Sequence, residues 1–155
     1  MSFESLSLSP EIAGNVKALG YTVPTPIQRN VIPAILAGRD VVGLAQTGTG
    51  KTAAFAIPVL QRLLGGPRHH LRALIVGPTR ELAEQTRGAF QDLGAGTKLR
   101  SVTLYGGVGM QPQVSALRAG AEIAIACPGR LLDHARQGTI RLDRGECLGL
   151  AEADR

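Results

Sequence analysis

AQTGTGKT, residues 45–52, joins a short apolar run, DVVGLA (40–45), to a helical pattern that begins TAAFAIPVLQRLL (52–64). The glycines of this stretch lack a Cβ, so backbone N–H groups can converge on an anion. Lys51 adds a positive charge for the outer phosphates, and the Thr52 hydroxyl is suited to bind Mg²⁺. The start of the helix places the positive end of its dipole at the same point. The stretch therefore predicts a phosphate-binding strand–loop–helix unit.

The alternation of strand and helix continues along the whole chain. Several of the apolar runs are continuous rather than alternating, which indicates burial on both faces and a parallel sheet. Such alternation is typical of βαβ units, so we expect a three-layer α/β domain with a mostly parallel central sheet. The predicted strands are 40–45, 71–77, 100–105, 122–127 and 146–151, and the predicted helices are 9–19, 26–37, 52–64, 80–93, about 110–119 and 130–137.

Length, composition and charge limit the class of protein. A chain of 155 residues that is 44% hydrophobic and 19% charged is typical of one soluble globular domain. Its net charge of +5 comes mostly from arginine, since only Lys17, Lys51 and Lys98 are lysines. Guanidinium groups suit bidentate contact with phosphates, which favours a nucleic-acid partner. A surface that is basic for solubility alone explains the charge equally well.

The sequence contains no sign of secretion or membrane insertion. The first residues, MSFESLSLSPEIAG, have neither a basic segment nor an apolar core, so they do not resemble a signal peptide. No run reaches the ~18 apolar residues of a membrane-spanning helix. Cys127 and Cys147 lack the spacing of metal ligands, and we expect both to be reduced. A cytoplasmic setting is expected.

Three strand ends carry arginines and glycines, in GPTRELAEQ (77–85), YGGVG (105–109) and CPGRLLD (127–133). Ligands of parallel α/β sheets collect at the carboxyl ends of the strands. Arg80 and Arg130 lie in the opening turns of predicted helices, where the helix dipole disfavours cations. Two such arginines at one sheet edge suggest the phosphates of a polymer, although nearby surface carboxylates would also explain them.

Two predicted helices begin with N-cap signals. Thr79 precedes the helix at 80–93 and is expected to cap it. Upstream, GYTVPTPIQ (20–28) contains the tetrad 25–28, Thr-Pro-Ile-Gln, which is a capping box with proline at the first helical position. The capping box explains every residue of the tetrad, so the residues alone assign no chemistry to Gln28.

A nicotinamide cofactor is the rival interpretation of the glycine-rich loop. Gly48, Gly50 and Ala53 satisfy the loose dinucleotide-binding fingerprint, which expects an acidic residue at the end of the second strand. This strand instead ends in GPTRE, with Arg80 ahead of Glu81. The nicotinamide interpretation is therefore disfavoured.

Taken together, these stretches resemble the first RecA-like lobe of a DEAD-box RNA helicase. The resemblance covers residues 1–155 in family order and at family spacing, and residues 1–38 correspond to the Q-motif region. It is carried by Phe3, GYTVPTPIQ (20–28), AQTGTGKT (45–52), PTRELA (78–83), GG (106–107), PGR (128–130) and EAD (152–154).

The resemblance implies a P-loop NTPase domain that binds ATP and Mg²⁺. It explains Ala45, since the family's phosphate loop commonly opens with alanine, and it makes Gln28 the reader of the adenine edge. Lys51 and Glu152 are the implied catalytic residues, with Glu152 activating water. The implied nucleotide-binding residues are Phe3, Tyr21, Gln28, Ala45, Gln46, Thr47, Gly48, Thr49, Gly50, Lys51 and Thr52, with Thr52 also on the metal.

The resemblance also implies a partner, RNA, that is recognised through its backbone rather than its sequence. The implied RNA-contacting residues are Thr79, Arg80, Gly106, Gly107, Gly129 and Arg130. Asp154 corresponds to the carboxylate that links the lobe to later motifs, and a second RecA-like lobe is expected as a partner that this chain lacks.

The chain departs from the family pattern in places. Cys127 stands where the family usually has threonine, and a thiol is a weak donor, so a phosphate contact and a helix cap are expected to weaken. Ala151 replaces the first Asp of Asp-Glu-Ala-Asp, the carboxylate that organises Mg²⁺. Gly149 lies inside the last predicted strand, where glycine is locally destabilising. We expect the lobe to be incomplete after Arg155, before its last strands.

Three functions follow as hypotheses. The first is the ATP-binding and RNA-contacting lobe of an ATP-dependent RNA helicase. The second is a nucleotide-binding module without turnover, which Ala151 favours for this chain. The third is a P-loop ATPase that acts on DNA or protein, against which the Gln28 stretch and PTRELA argue.

Overall fold

The computed structural model describes residues 2–41 and 50–150, which form two compact units. Of these residues, the first unit contains 2–41, 50–65 and 89–98, and the second contains 66–88 and 99–150. Most of the strand predicted at 40–45 lies outside the described ranges.

The helices and the remaining strands lie where the sequence predicts them, within two residues at each end. A short 3-10 helix, Phe3–Leu6, was not expected. The α-helices are α1 (Pro10–Ala18), α2 (Pro26–Leu36), α3 (Lys51–Leu64), α4 (Arg80–Leu93), α5 (Met110–Arg118) and α6 (Pro128–Gln137), and the strands are β1 (Ala73–Val76), β2 (Ser101–Leu104), β3 (Ile123–Ala126) and β4 (Cys147–Leu150). None of these described helices is long and apolar enough to cross a membrane.

The first unit is a helical cluster in which α2 and α1 pack against α3. The helix α3 is the centre of this cluster, since eight of its 14 residues, distributed between Ala53 and Leu63, are buried. Phe55 meets Phe90 edge-to-face, with ring centroids 6.3 Å apart, a favoured aromatic geometry. The side chain of Asn15 donates to the carbonyl oxygens of Leu93 (2.9 Å) and Ala95 (2.7 Å). These bonds fasten α1 to the end of α4.

The second unit is built on a four-stranded sheet in the order β2-β3-β1-β4, in which every pairing is parallel. The fold class, α/β with a parallel central sheet, is thereby confirmed. All four residues of β3 are buried, as expected for an inner strand covered on both faces. Leu117 of α5 and Leu131 of α6 pack against a core cluster that includes Leu104 and Ala124.

Because the strands are parallel, their carboxyl ends share one edge of the sheet. The loops that begin at Gly77, Tyr105 and Cys127 leave from this edge, and hydrogen bonds from Gly77 N to Ala126 O and from Cys127 N to Leu104 O extend the ladder into them (both 2.9 Å). Three of the expected RNA-contacting stretches are therefore neighbours in space.

Candidate nucleotide and nucleic-acid sites

The start of α2 forms the predicted capping box. Thr25 has extended backbone, and its hydroxyl accepts from Gln28 N at 3.4 Å. In return, Oε1 of Gln28 accepts from Thr25 N at 3.0 Å. Both bonds satisfy N–H groups that a helix leaves without partners at its start.

The amide of Gln28 makes a further bond, which the capping box does not explain. Its Nε2 donates to the carbonyl oxygen of Gly50 at 3.2 Å, and the Gln28 side chain is completely buried. Gly50 has φ +81°, and a Cβ at this position would overlap Nε2 of Gln28. Glycine is thus required at position 50 for conformation and for space. The bond joins the start of α2 to the start of α3.

The start of α3 can receive phosphate groups. No side chain among the described residues caps this helix, and no acidic residue lies in its first turn. Lys51 is its first residue and is half-buried, while Thr52 is exposed. Helix N–H groups and the dipole both attract an anion here. These features fit a nucleotide phosphate with Mg²⁺, whose neighbours would be Lys51 and Thr52.

The other predicted phosphate-loop residues and the acidic pair lie outside the described residues. The loop residues are Ala45, Gln46, Thr47, Gly48 and Thr49, and the residues near the carboxyl end are Ala151, Glu152 and Asp154. Within residues 2–41 and 50–150, no group of three His, Cys, Asp or Glu side chains could hold a metal ion.

Two aromatic residues expected at the nucleotide lie together. Phe3 is buried and its ring centroid is 6.3 Å from that of Tyr21, with the planes inclined by 60°. Tyr21 is 36% exposed. An aromatic face partly open to solvent is suited to stack on a base.

At the carboxyl edge of the sheet, Thr79 and Arg80 open α4. Thr79 is exposed and its hydroxyl accepts from Leu82 N at 3.1 Å, which confirms the predicted N-cap. Arg80 is also exposed, and its guanidinium lies over the ring of Tyr105, with Cζ 4.8 Å from the ring centroid. A Cβ on Gly107, which has φ +82°, would lie 3.3 Å from Nη1 of Arg80. The arginine and the diglycine loop are therefore neighbours.

Tyr105 is held in place beneath Arg80 by a carboxylate. Its hydroxyl donates to Oε2 of Glu84 at 2.5 Å, and the Thr103 hydroxyl donates to the same oxygen at 3.3 Å. The bond to Glu84 raises the pKa of Tyr105, burial and the charge of Glu84 add to the increase, and Arg80 opposes it. Tyr105 is thus a neutral ring that supports a cation, a favourable cation–π arrangement.

Arg130, in the first turn of α6, is directed into the protein. Its side chain is 11% exposed. Nη2 donates to the carbonyl oxygen of Val108 at 3.0 Å, Nη1 donates to Oε1 of Gln113 at 3.3 Å, and Nε lies 3.8 Å from a carboxylate oxygen of Asp133. Arg130 thereby fixes the loop that carries Gly106 and Gly107, both of which are exposed.

Known proteins match the chain along nearly its whole length. The sequence model of the DEAD/DEAH box helicase family matches residues 25–155. The chain belongs to this family. Its sequence is 46% identical over 155 residues to the ATP-dependent rRNA helicase RRP3 of Meyerozyma guilliermondii, which covers 99% of this chain and 32% of that protein. It is 42% identical over 154 residues to the ATP-dependent RNA helicase CshA of Limosilactobacillus reuteri, covering 99% and 31%.

The fold agrees with the family. The crystal structure of a DEAD box protein from the hyperthermophile Methanococcus jannaschii matches with a TM-score of 0.91 and 38% identity, covering 97% of this chain and 41% of that one. The chain thus spans about a third of the length of the curated relatives named above.

Cys127, where the family resemblance leads us to expect threonine, has extended backbone as N-cap of α6 but makes no side-chain cap bond. Burial raises the pKa of its thiol, Glu81 adds to the increase and Arg80 opposes it, so the thiol stays protonated. The expected loss of a helix cap is confirmed.

Gly129 is exposed in the first turn of α6, and a Cβ there would meet nothing within 4 Å. Cys127 and Cys147 are not joined by a disulfide bond in the structure.

Sequence analysis did not identify several residues that make contacts at this edge of the sheet. They are Glu84, Tyr105, Gln113 and His134, which make their contacts across the sheet edge. Tyr105 ends a predicted strand and so has a usable signal, namely an aromatic residue before a diglycine. Gln113 and His134 lie inside predicted helices, and nothing in the sequence separates them from polar residues of a solvated helix face.

Proposed function

We propose that residues 1–155 form the N-terminal RecA-like, ATP-binding and RNA-contacting lobe of an ATP-dependent RNA helicase, with residues 1–38 as its Q-motif region. The observation that carries the proposal is the shared sheet edge at which Arg80, Gly107 and Arg130 meet. The names of the relatives, which are ATP-dependent RNA helicases, support the same function.

In the nucleotide site, we propose that Lys51 and the first N–H groups of α3 bind the outer phosphates, and that Thr52 contacts Mg²⁺. Bound Mg²⁺ would neutralise charge on the phosphate oxygens. Gln28 would read the adenine edge with the amide hydrogen and lone pair that its bonds to Gly50 and Thr25 leave over, and this contact requires the completely buried side chain to become accessible when the nucleotide binds. Phe3 and Tyr21 support the base, and Glu152 orients the attacking water.

In the RNA site, we propose that the exposed backbone of Gly106, Gly107 and Gly129 approaches phosphates closely, since no side chain separates them. Thr79 and Arg80 supply a hydroxyl and a charge to the same strand. Such contacts are blind to base sequence, because they involve only phosphates and sugars. RNA of any sequence is the expected partner, with a second RecA-like lobe completing the clamp.

The salt dependence of RNA binding tests the RNA half. Affinity falls as salt rises, and each lost phosphate contact makes the slope of log affinity against log salt concentration less steep by about 0.7 for a single strand. Arg80→Gln should make the slope less steep by about that amount. The slope is measured by anisotropy of a labelled single-stranded RNA at several KCl concentrations. The matched control is Arg141→Gln, because Arg141 is 78% exposed, pairs with Asp143 and precedes β4 at the opposite edge. Equal slopes for both variants would reject the proposal.

A nucleotide-binding module without turnover is the second candidate, and Ala151 favours it. Both candidates predict ATP binding, which Lys51→Ala should weaken. Only the helicase lobe predicts that RNA changes the rate of phosphate release. Measuring release with and without RNA in one preparation separates them.

A further inference from the structure

A buried polar network lies beneath the diglycine loop, and its centre is Gln113 of α5. Gln113 is 6% exposed. Its Nε2 donates to the carbonyl oxygen of Tyr105 at 3.0 Å, and its Oε1 accepts from Arg130 at 3.3 Å and from Nε2 of His134 at 2.8 Å. We call Gln113, Arg130, His134 and Thr139 the Gln113 network. A buried amide with this many partners fixes the atoms around it.

His134 is completely buried, and its two ring nitrogens are both engaged. Because a carbonyl oxygen only accepts, the Tyr105 bond orients the Gln113 amide, so Nε2 of His134 carries the hydrogen. Nδ1 lies 2.7 Å from the Thr139 hydroxyl, which is also 3.1 Å from the carbonyl oxygen of His134. Burial lowers the pKa of His134 and the charge of Arg130 adds to the decrease, while Asp133 opposes it, so the neutral ring is favoured. The ring thus fixes the acceptor oxygen of Gln113.

The network fixes the loop on both sides of the two glycines. Gln113 binds the carbonyl of Tyr105 just before Gly106, and Arg130 binds the carbonyl of Val108 just after Gly107. Between these anchors the glycines are exposed, and Gly107 has φ +82°. A loop anchored in this way loses little conformational entropy when it binds a ligand, which favours affinity.

We propose that Gln113 and His134 are positioning residues, which hold the Tyr105–Gly109 loop and Arg130 in the conformation that binds the RNA backbone. Neither residue needs to touch RNA. This inference rests on the proposed RNA-contacting function of the same loop. It adds two residues whose effect on RNA passes through Tyr105 and Arg130.

Three variants test the proposal. Gln113→Glu keeps both acceptor bonds but removes the donor to Tyr105, so RNA affinity should fall roughly five- to tenfold. His134→Leu removes the donor to Gln113 and should cause a similar loss. His134→Gln retains a donor of suitable length and should recover most of the affinity. Binding is measured by anisotropy of a labelled single-stranded RNA, and ADP affinity, which should stay within about twofold, is measured on the same samples.

A purely structural role would give a different result. Leu71→Ala serves as the stability control, because Leu71 is buried in the core of the same unit, two residues before β1. If the network variants lose no more RNA affinity than Leu71→Ala at equal thermal destabilisation, or if His134→Gln fails to recover, the positioning role is overturned.

The two proposals fail in distinguishable ways. Wild-type protein that binds RNA with no dependence on Arg80 would reject the RNA-contacting function of this edge itself. Binding that depends on Arg80 but not on Gln113 or His134 would leave that function intact and reject only the positioning role. The amide resonances of Gly106 and Gly107, recorded without RNA, should shift or broaden in Gln113→Glu and stay unchanged in Leu71→Ala. Unchanged glycine resonances in Gln113→Glu would also reject the positioning role.

Discussion

At the scale of single residues, the Gln28 side chain makes two structurally distinct hydrogen bonds. Its amide completes the capping box of α2 and also binds the carbonyl of Gly50 at the start of α3. An adenine contact made by the same amide would therefore be communicated to the phosphate loop through a single hydrogen bond.

The first prediction concerns Gln28→Glu. A carboxylate can still accept from Thr25 N but cannot donate to Gly50 or to a base, so ADP affinity should fall about tenfold and the preference for ADP over GDP should disappear. Competition of ADP and GDP with a fluorescent nucleotide measures both. Gln61→Glu is the matched control, because Oε1 of Gln61 accepts from Ser9 N (2.8 Å) and that bond survives the change. Equal competition by ADP and GDP in the unchanged protein would remove the adenine assignment.

The second prediction concerns the missing cap of α6. Cys127 already has the extended backbone of an N-cap residue, so Cys127→Thr should add a cap bond without a change of conformation. The free energy of unfolding should rise by about 1 kcal/mol, and RNA affinity should rise with it. Denaturant unfolding measures the first quantity. Cys127→Val, which has the shape of threonine but no hydroxyl, should gain neither, and an equal gain would assign the effect to packing.

At the scale of elements, an ion pair joins the starts of β1 and β4. Nε of Arg72 donates to one carboxylate oxygen of Glu146, and Nη2 donates to the other at 3.2 Å. Arg72 also donates to the carbonyl of Pro67 at 2.8 Å and is only 2% exposed, whereas Glu146 is 29% exposed. Water can therefore solvate the Glu146 carboxylate if Arg72 is removed, but it can hardly reach the Arg72 guanidinium if Glu146 is removed.

The third prediction follows from this difference. Glu146→Ala removes a carboxylate that pairs with a buried guanidinium and should cost about 3 kcal/mol of unfolding free energy. Arg72→Met fills the space with apolar atoms and leaves a carboxylate that water can reach, so it should cost less. Denaturant unfolding of both single variants and of the double variant gives the coupling. A larger loss for Arg72→Met would show that its packing and its bond to Pro67 outweigh the ion pair.

The fourth prediction lies at the end of β4, where Ala151 falls outside the described residues. On the proposal that position 151 is the metal position, Ala151→Asp should tighten Mg²⁺-dependent ATP binding, because the added carboxylate would help to complete the largely water-mediated shell of Mg²⁺. It should not give fast hydrolysis, since an arginine finger is worth about 10³–10⁵ in rate and we propose that a second lobe supplies it. The measurements are ATP affinity against Mg²⁺ concentration and single-turnover hydrolysis. Unchanged Mg²⁺ dependence would show that 151 is not the metal position.

At the scale of the whole molecule, the fifth prediction is that the 155-residue chain binds RNA without separating duplexes. The family resemblance implies that unwinding requires RNA to be bound between two RecA-like lobes. The chain spans about a third of the length of its curated relatives. A strand-displacement assay with a partly double-stranded RNA and ATP tests this, with a full-length DEAD-box protein as the active control. ATP-dependent displacement by the 155-residue chain would contradict the two-lobe requirement.

The sequence by itself determined what local forces control. Apart from the strand predicted at 40–45, most of which lies outside the described residues, the predicted helices and strands agree with the structure within two residues at each end, because apolar periodicity and N-cap residues such as Thr25 and Thr79 act within one or two turns. It also identified the loops at the carboxyl ends of the strands, since parallel strands place these loops at one edge. The family followed from these motifs in their order.

Tertiary structure alone decided the rest. The strand order β2-β3-β1-β4 depends on pairing between distant segments, which periodicity does not specify. The bond from Gln28 to Gly50 spans 22 residues, and those from Gln113 to Arg130 and His134 span 17 and 21. A polar side chain reads the same in sequence whether it faces water or a buried partner. Only the fold brings the partner close and removes the water, and burial then makes the bond obligatory.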